Sequence, residues 1–320
     1  MRVARVFHPS FPSPLVALER DGCLYDVAEL DRQFSTPPSQ REPYDMSDFH
    51  LRVFALRGVG LDKLDDFLRG GDRPTEARLS KGSLLWLPPC SAERSCYVQI
   101  DRLPSVDAPD ELPQYHIGNA RTLFAHQETV PFPCDEDHPE ADVAVAALIG
   151  EELRSSSVKD VEKAIAGYSI LVRWVAPNAE KRSGSIHARS FATSIGPFLV
   201  SKDEAGNIDD LRVRVRVAGD NRDLIMTTTS DWSLPEAIAF VSRHVPLMPG
   251  DVVGGAPVAG VREALRELGL SFGTTLEVAI ERLGKLSSRP VVGPEPPEIR
   301  PRSSSATSTT SETTDQTDTD

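Results

Sequence analysis

The chain has 320 residues, a formal net charge of −13 and an apolar fraction of 39%. That length supports a sizeable core, in one large or two modest domains. The acidic balance argues against nucleic-acid and anionic-membrane partners, which need a basic surface, and no apolar stretch is long enough to span a bilayer.

No basic segment followed by an apolar run opens the sequence, so no signal peptide is expected and the expected location is cytoplasmic. Residues 1–30 suggest a β-meander in which VALER and CLYDV flank Asp21-Gly22, a dipeptide suited to a type I′ turn. Residues 34–48 are rich in Pro, Ser and polar groups and are expected as loop. LDKLDDFLRGG is expected as a short amphipathic helix ended by Gly70 and Gly71. The proline-rich stretch 84–111 is expected to connect a small N-terminal β-rich domain, 1–83, to the main domain, 112–290. Cys23, Cys90, Cys96 and Cys134 lack C-x-x-C and zinc-ligand spacing and are expected as reduced structural thiols.

DVAVAALIG (142–150) reads as a strand buried on both faces. SVKDVEKAIAG reads as a helix capped by Ser157 and stopped by Gly167. GYSILVRWV then continues as a strand with Arg173 in its middle, a charge that burial would force into a partnership. LRVRVRVAG alternates strictly. It is expected as a half-exposed strand with Arg212, Arg214 and Arg216 on its solvated face, turned by Gly219-Asp220-Asn221 into LIMTTT. SLPEAIAFVSRHV is expected as a helix with a Ser233–Glu236 capping box. TTLEVAIERLG is expected as the last strand. The tail 291–320 ends in SSSATSTTSETTDQTDTD and cannot bury enough surface to offset chain entropy, so it is expected to be disordered.

Several chemistries have no signature: there is no G-x-S-x-G elbow, no P-loop and no G-x-G-x-x-G after a strand. The seven histidines are scattered, and His116 and His126 stand ten apart as lone candidates for an active site. Asp135, Glu136, Asp137, His138 and Glu140 form an acidic run that would suit a hard cation such as Mg²⁺ or Ca²⁺ but equally a solvated loop.

The succession DVAVAALIG, AIAGYSILVRWV, RSFATSIGPFLVSKDE, TTTSDW, HVPLMPGDVVGGAP and LEVAIERLGKL resembles the fumarylacetoacetate hydrolase family. The opening meander resembles that family's small N-terminal domain. The resemblance implies a β-rich α+β fold with a mixed β-roll core, a homodimer, and a divalent-metal enzyme that cleaves, decarboxylates or isomerises enolisable dicarbonyl compounds.

Within that resemblance, the family's E-x-E pair falls on Asp142 and Ala144, its third carboxylate on Arg173 and its lysine on Arg189. The histidine segment falls on SCYVQIDR, which has none. Thr229, Ser230 and Asp231 match a pocket run, Gly255-Ala256-Pro257 matches the G-T-P bend, and Gly196-Pro197 matches a shaping turn. The expectation is therefore a metal-free site in which the Arg173 guanidinium replaces the cation, partnered by Asp142, with Arg189 nearby. Tyr168, Thr229, Asp231 and Gly255 are the expected substrate-binding residues. The alternative is a slipped Mg²⁺ or Mn²⁺ site on Glu140 and Asp142, although Arg173 would oppose it by several kcal/mol, on the order of 4. Three functions follow: a metal-independent enzyme on a dicarbonyl or polyketide-like small molecule, a non-catalytic binding or subunit protein, or a metal-dependent C–C hydrolase.

Overall fold

The computed structural model describes residues 1–34, 61–71, 73–90, 95–105, 107 and 111–297. The loop expected over 34–48 lies almost wholly outside these residues, as does the expected 291–320 tail from residue 298; Val291 and Val292, expected in that tail, are strand instead.

The meander forms as expected: β1 (Arg2–Phe7), β2 (Leu15–Arg20) and β3 (Cys23–Asp26) run antiparallel. Asp21 and Gly22 both have positive φ, 49° and 77°, which a type I′ turn requires and which Asp-Gly tolerates. Helices α1 (Val27–Phe34) and α2 (Leu61–Arg69) pack their apolar sides, including Leu30, Leu64 and Leu68, against this sheet. The short strands β4 (Arg78–Leu79) and β5 (Leu85–Leu87) follow.

The stretch 84–111 does more than connect. It contains β5 and also β6 (Tyr97–Arg102), which is buried from Tyr97 to Ile100 and hairpins with β7 (Gln114–Gly118). β8 (Leu123–Phe124) and β9 (Thr129–Phe132) lead to β10 (Glu140–Ile149), every residue of which is buried. Helix α3 (Val158–Ala164) is capped by Ser157, whose side chain accepts from the Asp160 N–H. It ends three residues before Gly167, which lies inside β11 (Ile165–Val175). There the backbone of β12 (Thr193–Ser201) runs so close that a Cβ on Gly167 would stand 2.5 Å from the Val200 carbonyl oxygen. Gly167 thus serves strand contact, not helix termination.

Helices α4 (Pro177–Ser183) and α5 (Ser185–Arg189) join β11 to β12, in which the Gly196–Pro197 peptide is cis. After α6 (Lys202–Ala205), β13 (Arg212–Val217) and β14 (Leu224–Thr227) form the expected hairpin, with the three arginines exposed and the valines buried. Helix α7 (Leu234–Val241) carries the full Ser233–Glu236 capping box. β15 (Val252–Gly254), helix α8 (Val261–Glu267) and β16 (Leu276–Ile280) follow. β16 is not the last strand. β17 (Gly284–Val292) returns antiparallel to it, a strand that its Ser-Ser-Arg-Pro centre concealed.

Among the described residues, twelve strands form one mixed sheet with the central order β4-β3-β2-β1-β12-β11-β10-β15-β6-β7, and five form a second, β14-β13-β16-β17-β9. The N-terminal meander is hydrogen-bonded into the large sheet through β1 and β12. β10 explains its unbroken apolar run by serving two cores at once. Val143, Val145, Ala147 and Ile149 pack with β13, β16, α7 and α8. Ala144, Ala146 and Leu148 pack with Val3, Leu18 and the α2 leucines. Side chains alternate across a strand, so both faces must be apolar. Glu140 and Asp142 are the exceptions near its start.

Candidate functional site

Asp142 and Arg173 are direct register partners across β10 and β11, and Ala144 stands opposite Leu171. Positions 142, 144 and 173 therefore share one sheet face. Arg173 is 2% exposed. A guanidinium so buried must be neutralised, and two carboxylates do this. Nη2 donates to Asp142 Oδ2 at 3.1 Å and Nη1 to Asp101 Oδ1 at 2.5 Å. Among the described residues its Nε has no partner.

Asp142 collects further guanidiniums. Arg262 Nη2 donates to Oδ1 at 2.8 Å and to Oδ2 at 2.9 Å, and Arg189 Nε reaches Oδ2 at 3.4 Å. Arg189 Nη1 also pairs with Glu180 at 2.6 Å. Arg266, one turn beyond Arg262 on α8, pairs with Glu140 at 2.7 Å, and Arg262 lies 3.7 Å from the same carboxylate. Four arginines thus interlock with Asp101, Asp142, Glu140 and Glu180, and the formal charges cancel. Burial raises the Asp142 pKa, but Arg173, Arg262 and Arg189 more than offset it, so the carboxyl lies below its usual range.

Asp101, on β6, links this lattice to open space. Its second oxygen, Oδ2, lies 2.7 Å from His116 Nδ1 on β7. Burial would raise its pKa as well, yet the His116 contact and the Arg173 charge hold it below the ordinary value. Asp101 also lines a cavity of about 440 Å³. The remaining wall includes Arg102, Asp209, Thr228, Thr229, Ser230, Asp231, Trp232 and the bend Gly255–Ala259. The bend is held by Gln99, whose Nε2 donates to the Gly255 carbonyl at 2.8 Å and whose Oε1 accepts from Tyr97 O–H at 2.6 Å. A Cβ at 254 would lie 2.3 Å from Gln99 Oε1, so any larger residue there must displace the amide that holds the bend.

The expected site residues divide accordingly. Thr229, Asp231 and Gly255 line the cavity, whereas Arg173, Asp142 and Arg189 do not; Arg173 bonds to the lining residue Asp101, and Asp142 and Arg189 follow it in the lattice. Tyr168 is brought to neither group. It is a core residue five positions along β11 from Arg173, with burial pushing its hydroxyl up to about 12. His126 is a packing residue: Nδ1 accepts from the Ser287 N–H, the ring packs edge-on against Trp86, and burial lowers its pKa to about 4. The acidic run 135–140 is structural. Both Glu136 oxygens accept from the N–H groups of Asn178 and Ala179 at the start of α4, and Asp135 pairs with Arg182.

Asp101, Arg262, Arg266 and Glu180 were not anticipated. The arginine pair carried a signal: V-R-E-A-L-R spaces them four apart on a helix directly after the glycine-rich bend. Asp101 had only its place in SCYVQIDR, where the resemblance puts the missing histidine.

This donor set does not fit a divalent cation. Two positions that the resemblance assigns to hard-oxygen ligands hold Ala144 and Arg173, and both Asp142 oxygens accept from guanidiniums. The slipped pair fares no better, because Glu140 is bound by Arg266 and flanked by Arg262. Among the described residues, no group of three His, Cys, Asp or Glu side chains is arranged to hold a metal.

The family model for the fumarylacetoacetate (FAA) hydrolase C-terminal domain matches residues 91–291. The chain is 29% identical over 170 residues to the 2,4-didehydro-3-deoxy-L-rhamnonate hydrolase of Sphingomonas sp. (strain SKA58), covering 51% of this chain and 59% of that protein. It is 24% identical over 161 residues to a 4-hydroxyphenylacetate degradation bifunctional isomerase/decarboxylase of Salmonella dublin, covering 49% and 38%. The chain thus spans about half the length of these curated relatives. The solved maleylpyruvate hydrolase of Sphingobium sp. SYK-6, in complex with manganese (II) ion and pyruvate, superposes with a TM-score of 0.68 at 18% identity over 92% of this chain and all of that one. At that identity the likeness shows the fold alone.

Proposed function

The chain belongs to the fumarylacetoacetate hydrolase family, and from that premise we propose that it is a metal-independent enzyme acting on an enolisable dicarbonyl or polyketide-like small molecule, by cyclisation, isomerisation or decarboxylation. The family's relatives include hydrolases and isomerase/decarboxylases. The observation that carries the reading is the Arg173 guanidinium, seated opposite Asp142 and donating to Asp101, a carboxylate on the cavity wall.

In this reading Asp101 accepts the proton from the carbon between two carbonyls and returns it elsewhere on the substrate. A carboxylate with a lowered pKa is a weak base, so the reading is confined to substrates with the unusually acidic C–H of a 1,3-dicarbonyl. Arg173 touches no substrate here. It is a positioning residue that keeps Asp101 ionised and fixed, and Asp142, Arg189 and Arg262 hold it in turn. Thr229, Ser230 and the Gly255 bend supply the surfaces that orient the dicarbonyl. No step passes through a metal.

The test is a panel of 1,3-diketones and acylpyruvates, followed by loss of enol absorbance with EDTA present. Turnover that disappears in Asp101→Asn and falls in Arg173→Ala supports the reading. Turnover that needs added Mg²⁺ or Mn²⁺ overturns it. A second reading, a non-catalytic binding or subunit protein, is favoured by the charge balance of the arginine lattice, which leaves every guanidinium already paired. Tight binding without turnover across the same panel would select it. The homodimer implied by the family resemblance and the cytoplasmic location expected from the sequence belong to the same proposal, and sedimentation velocity tests the first.

A further inference from the structure

The carboxylate of the cavity and its apolar floor meet at one irregularity in β6. Ile100 stands opposite Tyr115 on β7 and Arg102 stands opposite Gln114, so β6 advances two residues while β7 advances one, and Asp101 is the bulged residue. Successive side chains of a regular strand point to opposite faces. A bulge re-aims one of them, and here Ile100 and Asp101 both line the same cavity.

The lining sorts by depth. Asp209, Thr229, Ser230 and Asp231 are exposed and form the mouth. Ile100, Val145, Ile208, Leu234, Ala237 and Val258 are buried members of the main hydrophobic core, so the floor opens directly onto that core. Ala256 adds its methyl group at the edge of the same cluster. Peptide groups at the floor are already bonded: the Gly255 N–H donates to the Val145 carbonyl at 2.9 Å, and the Gly255 carbonyl accepts from Gln99 at 2.8 Å. A polar group laid on these six side chains would lose water and gain no side-chain hydrogen bond from them, whereas a hydrocarbon is stabilised by the same burial.

Building on the proposed site, we infer that its substrate class is a 1,3-dicarbonyl bearing an apolar substituent, an alkyl chain or an aryl ring, with the dicarbonyl at Asp101 and the hydrocarbon on this floor. Ala237 and Ala256 determine the specificity, because their small side chains leave the room that the substituent occupies. A cavity of about 440 Å³ is of the size that takes such a ligand.

Straight-chain 1,3-diketones from acetylacetone upward test this, each longer chain also made with a terminal carboxylate, with affinities to the full chain measured calorimetrically. Each added methylene should tighten binding about fourfold until the floor is covered, the equivalent of about 0.8 kcal/mol per buried methylene. A terminal carboxylate on the longest chain should weaken binding by at least about tenfold. Ala237→Leu fills the floor from α7 and Ala256→Leu fills it from the bend, and each should flatten the dependence on chain length, compared within the variant. Should the fully buried Ala237 not tolerate the change, Ala256→Leu at the edge of the cluster carries the test. Affinity that does not rise with chain length overturns the inference, as does tightest binding by a carboxylate-ended chain or a rise that survives Ala256→Leu unchanged. Chain-length dependence without turnover upholds the ligand class and overturns the enzyme reading. Turnover with affinity indifferent to chain length does the reverse. If none of the diketones binds, both fail.

Discussion

Arg173 Nη2 donates to Asp142 Oδ2 at 3.1 Å across directly paired positions of β11 and β10. Each strand is committed to two hydrophobic cores, so neither side chain can turn away to water without breaking a strand. The pair is fixed by fold geometry, and its chemistry is fixed by what three further arginines and three further acids add around it.

Arg173→Ala removes a guanidinium and leaves Asp101 and Asp142 facing each other without it. Breaking a buried ionic network in this way costs about 3–5 kcal/mol. Arg173→Met fills the same volume but also strands the acids, so it should rescue little. Combining it with Asp142→Leu removes a charge of each sign and should recover much of the loss. Chemical denaturation of the three variants checks this. Equal stability of Arg173→Ala and the parent chain would show that the lattice contributes nothing.

Converting the site back toward oxygen ligands is a direct test of its mapping. Ala144→Glu with Arg173→Asp would place three carboxylates on one sheet face in the observed register. Isothermal titration should then detect Mn²⁺ binding that the parent chain lacks. If a folded double variant binds none, and adding Arg262→Ala to free the Asp142 oxygens still creates no binding, positions 142, 144 and 173 do not converge as the strand pairing indicates.

Two windows are expected in the dependence of stability on pH. His126 has a pKa lowered to about 4 by burial. As pH falls from the ordinary histidine value near 6.5 toward 4, only the unfolded chain takes the proton, so stability is lost across that interval. Asp101 and Asp142 have depressed values. Their contribution is full above the ordinary carboxylate pKa and is lost as pH falls below it, through their folded values. Melting temperatures from pH 7 to 2.5 should fall in both windows, and the His126 ring should show no NMR titration between pH 8 and 5.

Gly254→Ala forces a methyl group against Gln99 Oε1 and so against the residue that holds the Gly255 bend. The expected cost is about 1–3 kcal/mol. Ligand affinity at the cavity should fall as well, because the Gly255 wall must shift. Gly219→Ala has open space around its Cβ and serves as the strained-turn control without a cavity effect.

What could be read from the sequence follows from what is local. The two-faced apolar run of β10, the Asp21-Gly22 turn, the Ser233 capping box and the alternation of β13 are set within a few residues, and each forms as expected. Gly167 misled because a glycine after a helix pattern resembles a stop, while its need came from the neighbouring β12 backbone. β17 was hidden because Ser287, Ser288 and Pro290 read as loop. The Asp142–Arg173 pairing was anticipated from adjacent segments. Its other partners stand 72 and 120 residues away in sequence, at Asp101 and Arg262, and only the assembled sheet brings them together. The same distance hid the fact that Arg173 bonds to the cavity-lining Asp101 and does not itself line the cavity.

The central claim is that a guanidinium occupies the place of the family's cation. The most direct measurement is metal content of the full chain purified without chelator, by mass spectrometry, together with its melting temperature with and without EDTA. The account predicts far less than one equivalent of any divalent ion and an unchanged melting temperature. One equivalent of Mg²⁺ or Mn²⁺, with destabilisation on chelation, would contradict it.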